Sequence, residues 1–297
     1  MSWVLDAQGL GKRYGRRWAL NDCDLQIPSG HVVGLVGPNG AGKTTLLHLA
    51  VGLLAPSAGS IEVLGRPPAA DPEQLARVGF VAQDTPTYAR LSIRDHLYFG
   101  AQMNPRWDDA LARRRIAELD LDLAQKAGSL SGGQRAQLAL TLAVAKRPEL
   151  LVLDEPVASL DPLARREFLQ SLMEFVADGG VSVLLSSHLV ADLERVCDYL
   201  IVLVDSRLQV AGEVDDLLAT HRRLVGPRRD QGSLPTGQDV IEESHTDRQS
   251  TMLVRCVGPV LDPAWTVEEL SLEDIVLAHM GHASSARRAR QHLAVHS

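Results

Sequence analysis

The sequence predicts an α/β fold with buried central strands and an inserted helical segment. Short apolar runs bounded by glycine or polar residues recur along the first 220 residues, as expected of buried strands. They cover residues 31–36, 78–82, 150–153, 181–185 and 200–204. Strand patterns vanish between about residues 92 and 147, where helical stretches dominate. A helical insert within an α/β frame accounts for both observations.

The elements before the insert begin with a β-rich segment over residues 3–36. Strands are predicted at Val4-Leu5 and at residues 24–27, followed by a turn at Pro28-Ser29-Gly30 and the buried strand 31–36. The leucine pattern of residues 44–54 predicts a helix, and residues 60–64 predict a strand. Within the insert, helices are expected over residues 108–119 and 135–146.

The chain becomes polar and rich in turns after about residue 220, which predicts a domain boundary there. We therefore expect one domain over residues 1–220 and an extension over residues 221–297. In the extension, apolar residues at 240–241 and 252–254 are consistent with a small hairpin. Residues 271–274 resemble a capping box, and the apolar positions after it predict a short amphipathic helix.

Composition and charge limit the classes of protein to which this chain can belong. The chain of 297 residues has 30 basic and 37 acidic residues, so its formal net charge is −7, which argues against a mainly nucleic-acid-binding protein. No run of 18 apolar residues occurs, and the N-terminus lacks a signal-peptide core, so we expect a globular protein of the cytosol. Three scattered cysteines without a CxxC pair favour neither a disulfide framework nor a zinc site.

The strongest motif is the segment GPNGAGKT at residues 37–44, which fits G-x-x-x-x-G-K-[ST] between a buried strand and a helix. Glycines there let backbone N–H groups approach phosphate oxygens, and the following helix adds its positive N-terminal end. Lys43 would reach the β- and γ-phosphates, and Thr44 would ligate Mg²⁺ through its hydroxyl. The segment therefore predicts a phosphate-binding loop.

A second motif is the apolar strand 150–153 followed by Asp154, Glu155 and Pro156. Ligands in open α/β sheets bind at the carboxyl ends of strands, where this arrangement places both acids. Asp154 suits Mg²⁺, and Glu155 is the natural general base for an attacking water. An acidic turn after a strand is common by itself, so this motif indicates a nucleotide site only together with the phosphate-binding loop.

A third motif is Ser131-Gly132-Gly133-Gln134 before a helical run. Its serine and glycines make a second helix start suited to an anion, although an ordinary serine-capped helix would look the same.

These three motifs, in their order along the chain, make the sequence resemble the ATP-binding cassette (ABC) ATPases over roughly residues 3–215. The resemblance implies a RecA-like P-loop NTPase core with an antiparallel β subdomain and an inserted helical subdomain at about 86–147. The hairpin and helix patterns beyond residue 220 add a small C-terminal α+β extension. The sequence departs from the common family pattern at Ser186-Ser187 and at Ala136. We expect neither departure to affect the catalytic residues.

The resemblance also implies individual roles, with ATP as substrate and Mg²⁺ as cofactor. Catalysis is assigned to Glu155, His188, Gln83 and Lys43, and the metal to Thr44, Gln83 and Asp154. Adenine would stack on Tyr14, with Trp18 as the alternative. The other implied ATP-binding residues are Gly37, Pro38, Asn39, Gly40, Ala41, Gly42, Lys43, Thr44 and Thr45. The residues implied to bind the ATP of a second subunit are Ser131, Gly132, Gly133, Gln134 and Asp161.

The partners implied are a second ABC ATPase domain, identical or related, and separate multi-span membrane subunits, so that the chain would lie on the inner face of the membrane. The chain resembles bacterial single-domain ATPases of the ABC-2 export type, including drug-efflux relatives, which favours export. An importer ATPase, or a non-transport ATPase acting on ribosomes, DNA or cluster assembly, is the alternative; no nucleic acid is expected as a partner.

Overall fold

A computed structural model of the chain describes residues 2–85, 87–228, 238–256, 258, 260 and 262–282. The strands are β1 (Trp3–Tyr14), β2 (Arg17–Pro28), β3 (Val32–Val36), β4 (Ala58–Val63), β5 (Val78–Val81), β6 (Leu150–Leu153), β7 (Ser182–Ser187), β8 (Tyr199–Val204), β9 (Arg207–Glu213), β10 (His221–Pro227), β11 (Gln238–His245), β12 (Gln249–Cys256) and β13 (Thr266–Glu268). The helices are α1 (Lys43–Ala50), α2 (Pro72–Arg77), α3 (Ile93–Met103), α4 (Asp109–Glu118), α5 (Gly132–Val144), α6 (Pro162–Gly179), α7 (Val190–Leu193), α8 (Val214–Thr220) and α9, described over residues 272–282.

The central sheet has the strand order β5-β6-β7-β3-β8-β9 and is parallel except for β9. Its strands alternate between two apolar layers, as the pleat of a buried sheet requires. Leu153 and Leu185 face the layer that contains α5 and α6, whereas Val152 and Leu184 face the layer that contains α1 and the second sheet. The predicted α/β fold with buried central strands is confirmed.

The second sheet is antiparallel, with the order β2-β1-β4. It packs against α1 and one face of the central sheet through a shared cluster of buried side chains. β1 and β2 are each 12 residues long, so the hairpin is far longer than the short apolar runs predicted.

The predicted helix 44–54 ends early. α1 stops at Ala50, and Gly52 adopts a left-handed conformation with a φ of 76°. The N–H of Leu53 then donates to the carbonyl of His48, which closes the helix end as a glycine-containing C-terminal cap does. The apolar side chain of Leu54 therefore belongs to the turn after the helix.

The inserted helices form their own small core, which includes Ile93, Leu97, Ile116 and Leu138. Glu149, just before β6, forms an ion pair with Arg77 of α2 at 2.8 Å and another with Arg106 at 2.9 Å. Because Arg106 lies between α3 and α4, the second pair joins the insert to the central sheet. The hydrogen bond from Arg77 is the main cause that lowers the pKa of Glu149 to about 2, so this carboxylate stays ionised across the physiological range.

The C-terminal residues form a four-stranded antiparallel sheet, in the order β11-β12-β10-β13, which carries α9. β11 and β12 make the hairpin expected around residues 240–254. Ser271 and Asp274 form the predicted capping box at the start of α9. Ile275 and Val276 of α9 are fully buried in the same apolar layer as Leu185, so the extension and the central sheet share one core.

In the part of the chain that the structure describes, no helix is both long and apolar enough to cross a bilayer.

Candidate functional site

The glycine-rich loop at residues 37–44 connects β3 to α1 at the carboxyl edge of the central sheet. A Cβ on Gly37 would lie 2.2 Å from the carbonyl oxygen of Leu203, and one on Gly42 would lie 2.4 Å from that of Ala19. Gly42 also has a φ of 109° and is the N-cap of α1, with no side-chain cap. Only glycine fits at these two positions, and the uncapped N–H groups of α1 are left for an anion.

Lys43 is the cation of this loop, and its side chain is only 5% exposed. The Nζ atom donates to the carbonyl oxygen of Gly37 at 2.8 Å and lies 3.3 Å from Oε1 of Glu155. A buried ammonium needs such partners because its desolvation is costly. The arrangement holds the ammonium beside the backbone donors of the loop and pairs it with the carboxylate of Glu155.

Glu155 lies two residues after the end of β6, and its carboxylate faces the same loop. In addition to the contact with Lys43, its Oε2 lies 3.4 Å from Nδ1 of His188, which follows β7. The backbone of Glu155 has a φ of 45°, a left-handed conformation that non-glycine residues seldom adopt. Such backbone costs about 1–3 kcal/mol and persists only where its surroundings hold it.

Asp154 lies directly after β6 and is 1% exposed. Its Oδ1 accepts a hydrogen bond of 2.8 Å from the hydroxyl of Ser186, and the N–H of Glu155 donates to the same hydroxyl at 2.8 Å. Contrary to the expectation that the Ser186-Ser187 pair would not touch these residues, Ser186 therefore contacts both acids. The strand register explains this contact. Leu153 of β6 pairs with Leu185 of the parallel strand β7, so the next residues, Asp154 and Ser186, lie side by side.

A cavity of about 870 Å³ gathers most of the residues singled out by the sequence. It is lined by Tyr14, Arg17, Ala19, Asn39, Gly40, Ala41, Gly42, Lys43, Thr44, Thr45, Gln83, Glu155 and His188. Tyr14 is half exposed at its rim, with the ammonium of Lys12 at 5.6 Å from its ring. Sequence reasoning missed Arg17, because an exposed arginine on a hairpin strand carries no pattern that distinguishes it from a solvated charge.

The segment Ser131–Gln134 does not line this cavity. It begins α5 with a capping box: the N–H of Gln134 donates to Oγ of Ser131, and the N–H of Ser131 donates to Oε1 of Gln134. Asp161 caps the neighbouring helix α6 by accepting from the N–H groups of Leu163 and Ala164. The two helix starts touch, since a Cβ on Gly133 would lie 2.9 Å from Cβ of Ala164.

A second, smaller cavity of about 330 Å³ adjoins this pair of helix starts, and Gln83, Gly132, Ala136, Pro156 and Leu160 are among the residues that line it. Gln83 lines both cavities, so it lies between the glycine-rich loop and the α5 start. The structure thus separates the predicted residues into two groups that one residue connects.

Comparisons with known proteins agree with this geometry. The ABC transporter family matches residues 20–158. The chain is 36% identical over 227 residues to Nod factor export ATP-binding protein I of Cupriavidus pinatubonensis, covering 72% of this chain and 68% of that protein. It is 33% identical to the lipopolysaccharide export system ATP-binding protein LptB of Acidithiobacillus ferridurans (73% of this chain, 93% of that protein).

A third relative is a sulfate/thiosulfate import ATP-binding protein, CysA 1, of Agrobacterium fabrum, which is 36% identical over 71% of this chain and 64% of its own length. Among solved structures, one described as the ATP binding subunit of an ABC transporter superposes with a TM-score of 0.65 at 29% identity, covering 73% of this chain and 92% of that one. The chain therefore belongs to the family of ABC transporter ATP-binding proteins, and it is an ATPase.

Proposed function

We propose that this ATPase energises a membrane exporter and that it hydrolyses ATP between two facing cassettes. The observation that carries the proposal is the cavity in which the glycine-rich loop, Lys43, Glu155 and His188 meet, while Ser131–Gln134 lies outside it. One chain thus holds a binding and hydrolysis surface and, separately, a second anion-suited surface that its own cavity does not use.

The residues that line the cavity suit each part of ATP, from its phosphates to its adenine. Backbone N–H groups of the loop and the ammonium of Lys43 would hold the phosphates, and Tyr14 at the rim would stack on adenine. Glu155 would act as general base on the attacking water, a role that typically contributes about 10²–10⁴-fold to the rate. His188 and Gln83 would position the γ-phosphate and that water.

The same surface fits Mg²⁺, because the candidate ligands offer only hard oxygen atoms. The hydroxyl of Thr44 and the amide of Gln83 line the cavity, and the buried carboxylate of Asp154 lies at the same edge of the sheet. When bound there, the metal would neutralise phosphate charge.

The second surface supports a dimer. Ser131, Gly132, Gly133 and Gln134 begin α5, and Asp161 begins α6. Helix N-termini attract anions, so the α5 start would close over the phosphates bound by the partner subunit, while Asp161 would touch that subunit beside them. Two chains would then enclose two ATP molecules.

The membrane partner would bind an apolar groove of about 490 Å³ between the central sheet and the helical insert. Large side chains exposed along it are Leu53, Leu75, Tyr88, Phe99 and Met103. Exposed aromatic and methionine side chains are typical of a surface that receives another protein. A short helix of a separate multi-span subunit fits this description, and it would hold the chain against the inner face of the membrane.

Export is supported by the relatives named for Nod factor and lipopolysaccharide export, and the sulfate/thiosulfate relative makes import the second candidate.

The variant Glu155→Gln tests the hydrolysis site. We expect it to bind ATP with near-normal affinity, to lose about 10²–10⁴-fold in turnover because an amide cannot accept the proton of water, and to accumulate as an ATP-bound dimer. Steady-state hydrolysis and light scattering with ATP measure both effects.

Glu167→Gln is the matched control, because Glu167 is an exposed carboxylate of α6 outside both surfaces. Near-normal hydrolysis by Glu155→Gln would remove Glu155 as the base, and a variant that binds ATP but stays monomeric would argue against the facing dimer.

A further inference from the structure

The hydroxyl of Ser186 contacts both acids that follow β6. Ser186 is fully buried, and it donates its proton to Oδ1 of Asp154 while accepting from the N–H of Glu155, both at 2.8 Å. A hydroxyl has one proton to donate and lone pairs to accept with, so this geometry uses it in both directions.

We propose that Ser186 is a positioning residue for ATP hydrolysis, which orients the carboxylate of Asp154 and holds the backbone of Glu155 so that its side chain faces the cavity. The inference rests on the proposed roles of these two acids. The family resemblance marks this serine only as a departure from the common pattern and assigns it no role.

The backbone of Glu155 supplies the first reason. Its φ of 45° is unfavourable for a residue with a side chain, so the conformation needs contacts that hold it. The hydrogen bond from the N–H of Glu155 to Ser186 is such a contact, and it is made at the residue whose carboxylate faces Lys43 and His188. Without the hydroxyl, the N–H of Glu155 loses this hydrogen bond, and the backbone that positions its carboxylate is no longer held.

The carboxylate of Asp154 supplies the second reason. A donor on Oδ1 fixes which oxygen is free to turn towards a ligand, as partners of metal-binding carboxylates generally do. Removing such a partner typically costs about 10–100-fold in metal affinity or activity. Because one hydroxyl serves both acids, its loss should affect the metal dependence and the turnover together.

Ser182 offers a matched control on the same strand. It is also buried, and its hydroxyl also accepts a backbone N–H, that of Gly30 at 2.8 Å, but it lies at the opposite end of β7. Ser182→Ala therefore removes a buried hydroxyl of the same strand and the same bonding type without touching the site.

The test compares Ser186→Ala with Ser182→Ala in the full chain. We expect kcat of Ser186→Ala to fall about 10–100-fold, with KM for ATP within about twofold of the unmodified protein and the Mg²⁺ concentration for half-maximal activity raised several-fold. If Ser186 had a purely structural role, its replacement would lower Tm without lowering kcat at an unchanged KM. Ser186→Cys, which keeps the side-chain size but has a weak S–H donor, should fold and show the same loss.

A kcat within twofold of the unmodified protein in either folded Ser186 variant would overturn the proposal, and so would an equal loss in Ser182→Ala. Glu155→Gln measured in the same assay separates the two proposals. If it is inactive while Ser186→Ala is normal, only the role of Ser186 fails; if it is active, the role of Glu155 itself fails.

Discussion

Lys43 shows how one residue type can be required at one position of a chain that otherwise avoids it. Only four of the 30 basic residues are lysines. The compact ammonium reaches the carbonyl oxygen of Gly37 and the carboxylate of Glu155 from inside the loop, where the planar guanidinium of arginine would need more space. Its burial means that a phosphate bound in this loop would meet a cation that water screens little.

Replacing Lys43 with alanine should reduce ATP affinity at least tenfold, because a charge-assisted contact is worth about 1.5–3 kcal/mol. Calorimetric titration with ATP measures the loss. Lys126→Ala, which removes an exposed lysine far from the loop, serves as the control. Unchanged affinity in Lys43→Ala would contradict the assignment of residues 37–44 as the phosphate-binding loop.

The sequence predicted which residues would lie close together where a residue type has one chemical use at a set spacing. Glycine, lysine and carboxylates occur in the glycine-rich loop and after residue 153 in an order that a chance sequence seldom produces, and the structure brings the loop and Glu155 to one cavity. Ser186 could not be found in this way. Which of two adjacent serines faces Asp154 depends on the pairing of β6 with β7, and that register is a property of the folded sheet.

At the scale of elements, helix ends were predicted well only where a side chain marks them. Ser271 and Asp274 cap α9 through side-chain hydrogen bonds that the sequence displays. α1 ends at Ala50 instead, because Gly52 takes a left-handed backbone within an otherwise helical leucine pattern. β9 was missed because its seven residues are only half buried and show no clean alternation.

Two histidines join α9 to β10 inside the C-terminal extension. Nε2 of His279 lies 3.5 Å from Nε2 of His221, and Nδ1 of His221 donates to the carbonyl oxygen of Leu217 at 2.8 Å. With its proton on Nδ1, His221 presents a lone pair to the N–H of His279. Burial, with the charges of His221, His282 and Arg255 nearby, lowers the pKa of His279 from 6.5 to about 4.

This pair should make the extension less stable in mild acid. His279 stays neutral in the fold down to about pH 4, whereas in the unfolded chain it takes up a proton near pH 6.5. The unfolded state therefore binds more protons between these values, and stability falls as the pH drops from 6.5 towards 4. Thermal unfolding of the full chain at several pH values measures the slope.

The slope should be smaller in His279→Gln, which cannot titrate, than in the unmodified protein. An equal slope in His279→Gln and the unmodified protein would contradict the assignment.

At the scale of the whole molecule, the described residues form a cavity around the glycine-rich loop and, beside a smaller cavity, a touching pair of helix starts. The apolar groove beside the helical insert adds a third surface. Changes in composition and periodicity along the chain predict a core, a helical insert and an extension. They do not predict that the central sheet and the extension share one apolar cluster, because members of that cluster such as Leu185 and Ile275 lie far apart in sequence.

The groove predicts the class of partner. Tagged protein purified from detergent-solubilised membranes should bring down a multi-span protein, and Met103→Glu should weaken its recovery roughly tenfold, because a charge would be buried against an apolar surface. Leu277→Glu on exposed α9 is the control. Recovery of ribosomes in place of a membrane protein would favour a non-transport role.

The outer strand of the C-terminal sheet has a consequence for how copies of the chain can associate. β11 lies at the edge of the described sheet, its register shifts between Val240 and Glu242, and its exposed side chains include Asp239, Glu242 and Glu243. Irregular, like-charged edges repel a second edge of the same kind and so protect against aggregation by strand pairing. Copies of the chain at high concentration would thus be kept from pairing along this edge.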